Sequence, residues 1–403
     1  MASAKELAER VLTSELSLYE LEDHADADTA AEARRILLEQ ETEAELSMAK
    51  EVPYDSALAE RNIENMYGVV HIPVGVAGPV SIDGEAVSGE TYVPLATTEG
   101  ALVASVNRGF SAIREAGGAT ARVLDKSMTR GPVFRVEDVA EAKEVASWVR
   151  ENTAALAEAA EATTDHGEFR DVTPHVVGDS VFLRFGFDTK DAMGMNMATI
   201  ATEAACELVE HKTGAELLSV SGNLCTDKKP AAVNAIDGRG HTVTSDVVLS
   251  RELVEDRFNA SPEAIEDVNI RKNLIGSAKA GSLGFNAQVA NIVCAAFLAT
   301  GQDAAQVVES ANAITAFDVR GDKVYASVTL SSLEVGTIGG GTALPPQSES
   351  LDVLGVRGSG DPAGENADAL AEIIATAALA GEISLLSALT SHELTAAHED
   401  LGR

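Results

Sequence analysis

The stretch "LSVSGNLCTDKKPAA" (218–232) places an acid and two adjacent lysines, Asp227, Lys228 and Lys229, among small and apolar residues. Lysine is scarce, at 11 of 403 residues, so two side by side call for a reason. Flanked by Ser221, Asn223 and Asp227, the pair would suit a carboxylate or a developing oxyanion. The plain alternative is two solvated lysines. Other residues carry the same double reading. Glu99 sits at the start of a predicted helix, where a carboxylate meets the positive end of the dipole. Asp303 follows Gly301 and reads first as an N-cap for "DAAQVVESANAI". His392, taken alone, is a surface histidine. "GTIGGGT" (336–342) lets backbone N–H groups approach an anion or a flat ring, or simply turns the chain before Pro345 and Pro346. "DAMGMNM" (191–197) forms a soft, adaptable surface or ordinary core.

Familiar fingerprints are missing. The sequence holds no GxGxxG, GxxxxGK[ST], GxSxG or HExxH, and "HELTAAH" (392–398) puts its second histidine off the i+4 position that zinc ligation on a helix needs.

The elements that must position these residues are marked by changes of pattern. Residues 1–65 read as short acidic helices, with Leu7, Val11 and Leu12 at helical spacing. From 66 the chain is rich in Val, Ile, Gly and Pro, with "DG" at 83–84 marking a hairpin. "TTEGALVASVNRGFSAIREAGG" predicts a helix capped by Thr97 or Thr98, with a stripe of Leu102, Val103, Val106, Phe110 and Ile113 and a stop at Gly117-Gly118. Residues 132–219 alternate strand-like runs ("PVFRV", "SVFLRFGF") with helix-like ones (138–162 and 196–212), the pattern of an inserted α/β unit. Residues 280–302 carry no charge and are long enough to cross a bilayer, but Asn286, Gln288 and Asn291 and the small side chains favour a helix buried at the centre of a soluble domain. A last helical stretch is expected at 366–398.

Composition bounds the whole. The 403 residues predict two or three domains, and 45% hydrophobic with 4% aromatic content implies a core of Ala, Val, Leu and Ile in close backbone contact. A net charge of −34, spread along the chain, disfavours nucleic acid and anionic membranes as partners and suits a high-salt cytoplasm, so the fold is expected to loosen at low salt. Three cysteines without a CxxC pair fit a reducing cytosol, and the acidic N-terminus has no signal-peptide pattern, so the expected location is cytoplasmic.

Taken together, "ENMYG" (64–68), "IPVGVAGP" (72–79), "TTEGALVAS" (97–105), "SMTRGPV" (127–133), "DAMGMNM", "SGNLCTDKKPAA", "GQDAAQ" (301–306), "GTIGGGT" and "SH" (391–392) resemble, in order, the hydroxymethylglutaryl-CoA reductase family, in the class I form without a membrane anchor. The resemblance implies an α+β fold: a large helix-rich domain (66–131 and 220–403) around a central buried helix, with an inserted small ferredoxin-like α/β domain (132–219) that binds the cofactor without a Rossmann fingerprint, and an N-terminal helical arm (1–65). It implies reduction of hydroxymethylglutaryl-CoA to mevalonate by two hydride transfers from NADPH, NADH being the lesser expectation, with no metal. By motif position, Lys228 neutralises the oxyanion, Asp303 polarises Lys228, Glu99 is the acid of the second reduction and His392 protonates the departing CoA thiolate. Arg130, Ser221, Asn223, Asp227 and Lys229 grip the hydroxymethylglutaryl portion, and Asn291 supports the acid–lysine pair. Asp191, Met193, Gly194, Met195, Asn196, Gly339, Gly340, Gly341 and Thr342 match cofactor contacts. A homodimer or larger assembly with sites between subunits is also implied. Two departures stand out: Gln288 replaces a histidine of the larger members, and the tail "ELTAAHEDLGR" lacks an Asn-Arg that helps to hold a 2'-phosphate and a serine used for phosphoregulation. A Schiff-base lyase using Lys228 as an amine, or a non-catalytic CoA-binding protein, are the competing readings.

Overall fold

Where the acidic arm gives way to Val, Ile and Gly, strand formation begins. The computed structural model describes residues 2–391. Strands β1 (Val74–Asp83) and β2 (Ser88–Ala96) pair antiparallel across the expected Asp83-Gly84 turn. The backbone N–H groups of Glu85, Ala86 and Val87 in that turn donate to the carboxylate of Glu372, a fully buried residue of the long helix Glu365–Thr390. The turn's donors are thus satisfied from the core.

Strand β3 (Ala119–Arg130) runs through two units. Its first part pairs with β8 (Gly240–Ser250), while Met128, Thr129 and Arg130 pair with β6 (Ser180–Asp188). The smaller unit then reads β4 (Val133–Arg135), helices Val139–Glu151 and Thr153–Glu161, β5 (Glu168–Val177), β6, helix Met195–Thr213 and β7 (Glu216–Ser219). Its strands lie in the order β7-β4-β6-β5, all antiparallel, which is the ferredoxin-like arrangement. Helix Met195–Thr213 buries Ala198, Ala201, Thr202, Ala205, Cys206 and Val209, a three-and-four spacing that turns one stripe to the sheet. Phe134, Leu183, Phe185 and Val149 complete an apolar cluster separate from that of the larger unit.

In the larger unit β8 continues to β10 (Lys323–Leu333) and β9 (Ala313–Arg320). The helix Glu365–Thr390 lies against them, buried along most of its length. Among the described residues it is the one helix long and apolar enough to cross a membrane, yet 83% of its most apolar window is inside the fold. The scarcity of aromatics shows here. A Cβ on Gly109 of the helix Leu102–Glu115 would lie 2.1 Å from the carbonyl oxygen of Ala380, so the two helices cross backbone to backbone.

Two local expectations are corrected. The helix after β2 begins at Leu102, behind Ala101 at φ +67, with no side-chain cap; the Thr97 hydroxyl instead accepts the Glu99 N–H (3.0 Å). The charge-free run 280–302 is not one helix. Only Val289–Thr300 is helical, because Asn286 spends its amide on the carbonyls of Ala311 and Ala313 and its oxygen on the Val289 N–H, which ends the preceding turn and starts the helix. The central helix is the one after Gly364. At the N-terminus, helices Ala4–Leu12 and Ala27–Thr42 share a small cluster with Leu7, Leu21, Ala30 and Ala33. Arg34, 3% exposed, binds the arm together through Glu22 and the Leu18 carbonyl and reaches beyond it to the Met66 carbonyl.

Candidate active site

The lysine loop lies against the end of β3. The Thr129 hydroxyl donates to the Cys225 carbonyl (3.1 Å), and the Gly222 N–H to the Gly131 carbonyl (2.5 Å). A Cβ on Gly131 would lie 2.5 Å from the Cys225 nitrogen, so only glycine permits this approach. Arg130, the last residue of β3, is half-buried, with its Nε enclosed and without a hydrogen-bond partner. Asn223, Thr226 and Lys228 all have φ near +60° (63°, 57° and 58°). Three non-glycine residues in the left-handed region cost roughly 1 kcal/mol or more each, a cost the surrounding contacts must offset. Asn223 and Lys229 face solvent, Lys229 bonding to the Asp227 carbonyl (3.0 Å), and the Ser221 hydroxyl lies 3.8 Å from Cys225 Sγ.

The Lys228 ammonium lies 3.0 Å from Asp303, with both side chains partly open to solvent. Asp303 uses its other oxygen to accept the Ala305 N–H, so it is the N-cap expected of it and the lysine's partner at once. The hydrogen bond that Lys228 donates to Asp303, aided by the charges of Asp303, Asp227 and Glu309, holds the Lys228 pKa above the ordinary lysine range despite partial burial. Lys228 is therefore a persistent cation, which disfavours the neutral amine that a Schiff base requires.

Asp227 points inward, accepting from Gln306 (3.0 Å) and Arg239 (3.2 Å). Arg239, fully buried, also bonds to Gln306, Glu309 and Glu334 and lies against the Met195 sulfur. Sequence reading missed Arg239, Gln306, Glu309 and Glu334. The one local signal was an arginine between two glycines, Gly238 and Gly240, both at positive φ.

The two glycine-containing motifs meet beside this loop. The Asp191 carbonyl accepts the N–H groups of Thr337 (2.8 Å) and Ile338 (3.3 Å), and a Cβ on Gly336 would lie 2.3 Å from the Met193 nitrogen. Gln302, next to Asp303, donates to and accepts from the Gly336 backbone (both 2.9 Å), and Gly341 packs on Gly301. Thr342 closes the turn on the Gly339 carbonyl. Gly339 and Gly340 are exposed at positive φ, with open space where a Cβ would stand. Gly194 starts the helix that continues through Met195 and the exposed Asn196. Asp191 departs from the expectation that it touches cofactor. It has no exposed surface, and its carboxylate already accepts from Gly360 (2.9 Å), Gly364 (2.7 Å), Ala367 (3.1 Å) and the Ser359 hydroxyl (3.3 Å) at the start of the long helix.

Glu99 lies elsewhere. It accepts from Asn291 (3.2 Å) in a cavity of about 180 Å³ lined by Ile72, Thr97, Thr98, Cys294, Ala295 and Leu298 among others. Asn291, expected to support the acid–lysine pair, bonds Glu99 instead. Asn291 and Asp303 flank opposite ends of the helix Val289–Thr300, and at 1.5 Å per residue roughly 14 Å of helix separates Asn291 from Thr300. Gln288, at the family's histidine position, donates its amide to the Gly381 carbonyl (2.7 Å), so it is spent inside the fold. His392 lies outside the described residues.

Comparison with known proteins bears on the family and the fold. The family described as hydroxymethylglutaryl-coenzyme A reductase matches residues 30–403. The 3-hydroxy-3-methylglutaryl-coenzyme A reductase of Haloferax volcanii is 64% identical over 403 residues, all of both chains, and that of Halobacterium salinarum is 67% identical over 401 residues, 99% of each. The class II 3-hydroxy-3-methylglutaryl-CoA reductase of Streptococcus pneumoniae, solved bound to NADPH in open conformations, shares the fold with a TM-score of 0.67 at 21% identity over 96% of this chain and 97% of that one. With ordered motifs, a ferredoxin-like unit and a lysine–aspartate pair beside two glycine loops, the chain belongs to the hydroxymethylglutaryl-coenzyme A reductase family.

Proposed function

We propose that the protein reduces hydroxymethylglutaryl-CoA to mevalonate and CoA at the expense of two NADPH. The observation that carries this reading is the Lys228–Asp303 pair at 3.0 Å, set beside the 191–196 and 336–342 loops. A nicotinamide dinucleotide, when bound, supplies hydride. The open backbone at Gly339 and Gly340 and the partly exposed Met193, Gly194, Met195 and Asn196 suit a flat, phosphorylated ligand. When hydride adds to the thioester carbonyl, the Lys228 ammonium neutralises the charge on oxygen, and Asp303 keeps that ammonium charged and aimed. Breaking the C–S bond releases CoA as a thiolate whose proton the reading assigns to His392. A second hydride reaches the aldehyde carbon, and Glu99, held by Asn291, gives its proton to the alkoxide. The reading assigns the substrate's carboxylate and hydroxyl to Arg130, at the end of β3, and to Lys229, Ser221 and Asn223 on the neighbouring loop. Asp227 acts differently, through Arg239 and Gln306.

Glu99 and Lys228 must act on one carbonyl, yet their partners Asn291 and Asp303 stand at opposite ends of one helix. This supports a homodimer in which one subunit contributes the lysine loop and its partner the Glu99 cavity. The three cysteines are free, which accords with work in a reducing cytosol. The test is NADPH oxidation followed at the nicotinamide band. Oxidation should require hydroxymethylglutaryl-CoA and consume two NADPH per CoA thiol released; no substrate-dependent oxidation, or a one-to-one ratio, would refute the reading.

A further inference from the structure

Beneath the lysine loop the fold buries charge that the proposed chemistry does not itself use. Arg239, at 0% exposure, bonds through one nitrogen to Gln306 (3.0 Å), Glu309 (2.9 Å) and Glu334, and through the other to Asp227 (3.2 Å). Glu309 and Glu334 are likewise closed to solvent. The same oxygen of Glu309 that meets Arg239 accepts the backbone N–H of Lys228 at 2.7 Å. One guanidinium therefore fixes both Asp227, through its side chain, and Lys228, through its main chain. Lys228 is one of the loop's left-handed residues, at φ +58°. A backbone in that region persists only where its surroundings over-determine it.

We propose that Arg239 is a positioning residue for Lys228, holding the loop's strained backbone in register with Asp303 through Glu309 and Asp227. The proposal rests on the reading of Lys228 given above. Three carboxylates around one guanidinium would leave two uncompensated negative charges in the interior, which a low-dielectric core does not tolerate. One proton is therefore held on the Glu309–Glu334 pair. Burial pushes both carboxyls above their ordinary range, Glu334 furthest. With the proton on Glu334, Glu309 stays an anion able to accept from both Arg239 and Lys228. Met195 against the guanidinium, and Glu334 two residues before Gly336, connect the same cluster to both glycine loops.

The experiment compares three variants of the full chain, each with kcat, the NADPH dissociation constant from fluorescence, and the thermal midpoint. Glu334→Gln copies a protonated carboxyl and should keep kcat within about threefold of the parent. Arg239→Lys keeps the charge but loses the fork. Arg239→Met with Glu309→Gln removes the guanidinium together with the anion it pairs, while the glutamine oxygen can still accept the Lys228 N–H. Both Arg239 variants should bind NADPH with a dissociation constant changed by less than about threefold while kcat falls on the order of 100-fold, the scale for a displaced oxyanion donor. Should either fold and turn over at the parental rate, or should Glu334→Gln lose as much as the pair, the positioning role is overturned. Lys228→Ala is run in parallel. If it is fully active, the proposal falls with the reading of Lys228; if it is inactive while the Arg239 variants are fully active, the role of Arg239 alone fails.

Discussion

Lys228 earns its role by being the better placed of two adjacent ammonium groups. Both lysines are exposed, but Lys228 also meets Asp303 and sits next to the fold's buried ion cluster. Its raised pKa sets the sign of a pH effect. A group that works as a cation loses function as pH rises through its folded-state pKa, and the Asp303 hydrogen bond is the largest cause of the rise. Asp303→Asn should therefore move the alkaline limb of the kcat profile to lower pH as well as lowering its plateau; a limb that stays in place would show that Asp303 does not govern this proton. The lysine and aspartate were legible in sequence because each stands in a short, distinctive run. Arg239, Glu309 and Glu334 were not, since their contacts join segments 70 and 95 residues apart and no local pattern encodes a buried ion cluster.

At the scale of elements, polar side chains join what periodicity delimits. The helix Leu102–Glu115, its apolar stripe and the Gly117-Gly118 stop follow from residue spacing, and so does the hairpin at Asp83-Gly84. The start of that helix and the break within 280–302 do not, because Thr97 bonds the Glu99 N–H and Asn286 bonds two distant carbonyls, choices made by tertiary contact. Asp191 is the clearest case. Read as a ligand contact, it turns out to cap the long helix and so to fasten the loop of the small unit onto the large one. Asp191→Ala would leave three backbone N–H groups without their acceptor, at about 1 kcal/mol or more each. A loss of about 3 kcal/mol is expected in denaturant unfolding, with partial recovery in Asp191→Asn; a loss under about 1 kcal/mol would show that water or a shifted turn replaces the carboxylate.

For the whole molecule, Glu99–Asn291 and Lys228–Asp303 stand at opposite ends of one helix, the separation on which the proposed two-subunit site rests. The family resemblance implied a shared site; the helix that sets the two pairs apart is visible only in three dimensions. The most direct measurement is complementation between subunits. Glu99→Gln and Lys228→Ala, each inactive alone, are co-refolded in equal amounts and assayed for NADPH oxidation with hydroxymethylglutaryl-CoA. With random pairing, half of the dimers are mixed and each carries one intact site, so about a quarter of the parental rate should return. A co-refolded mixture that dimerises yet stays at the sum of its inactive parents would contradict the claim that these two half-sites form one reaction centre.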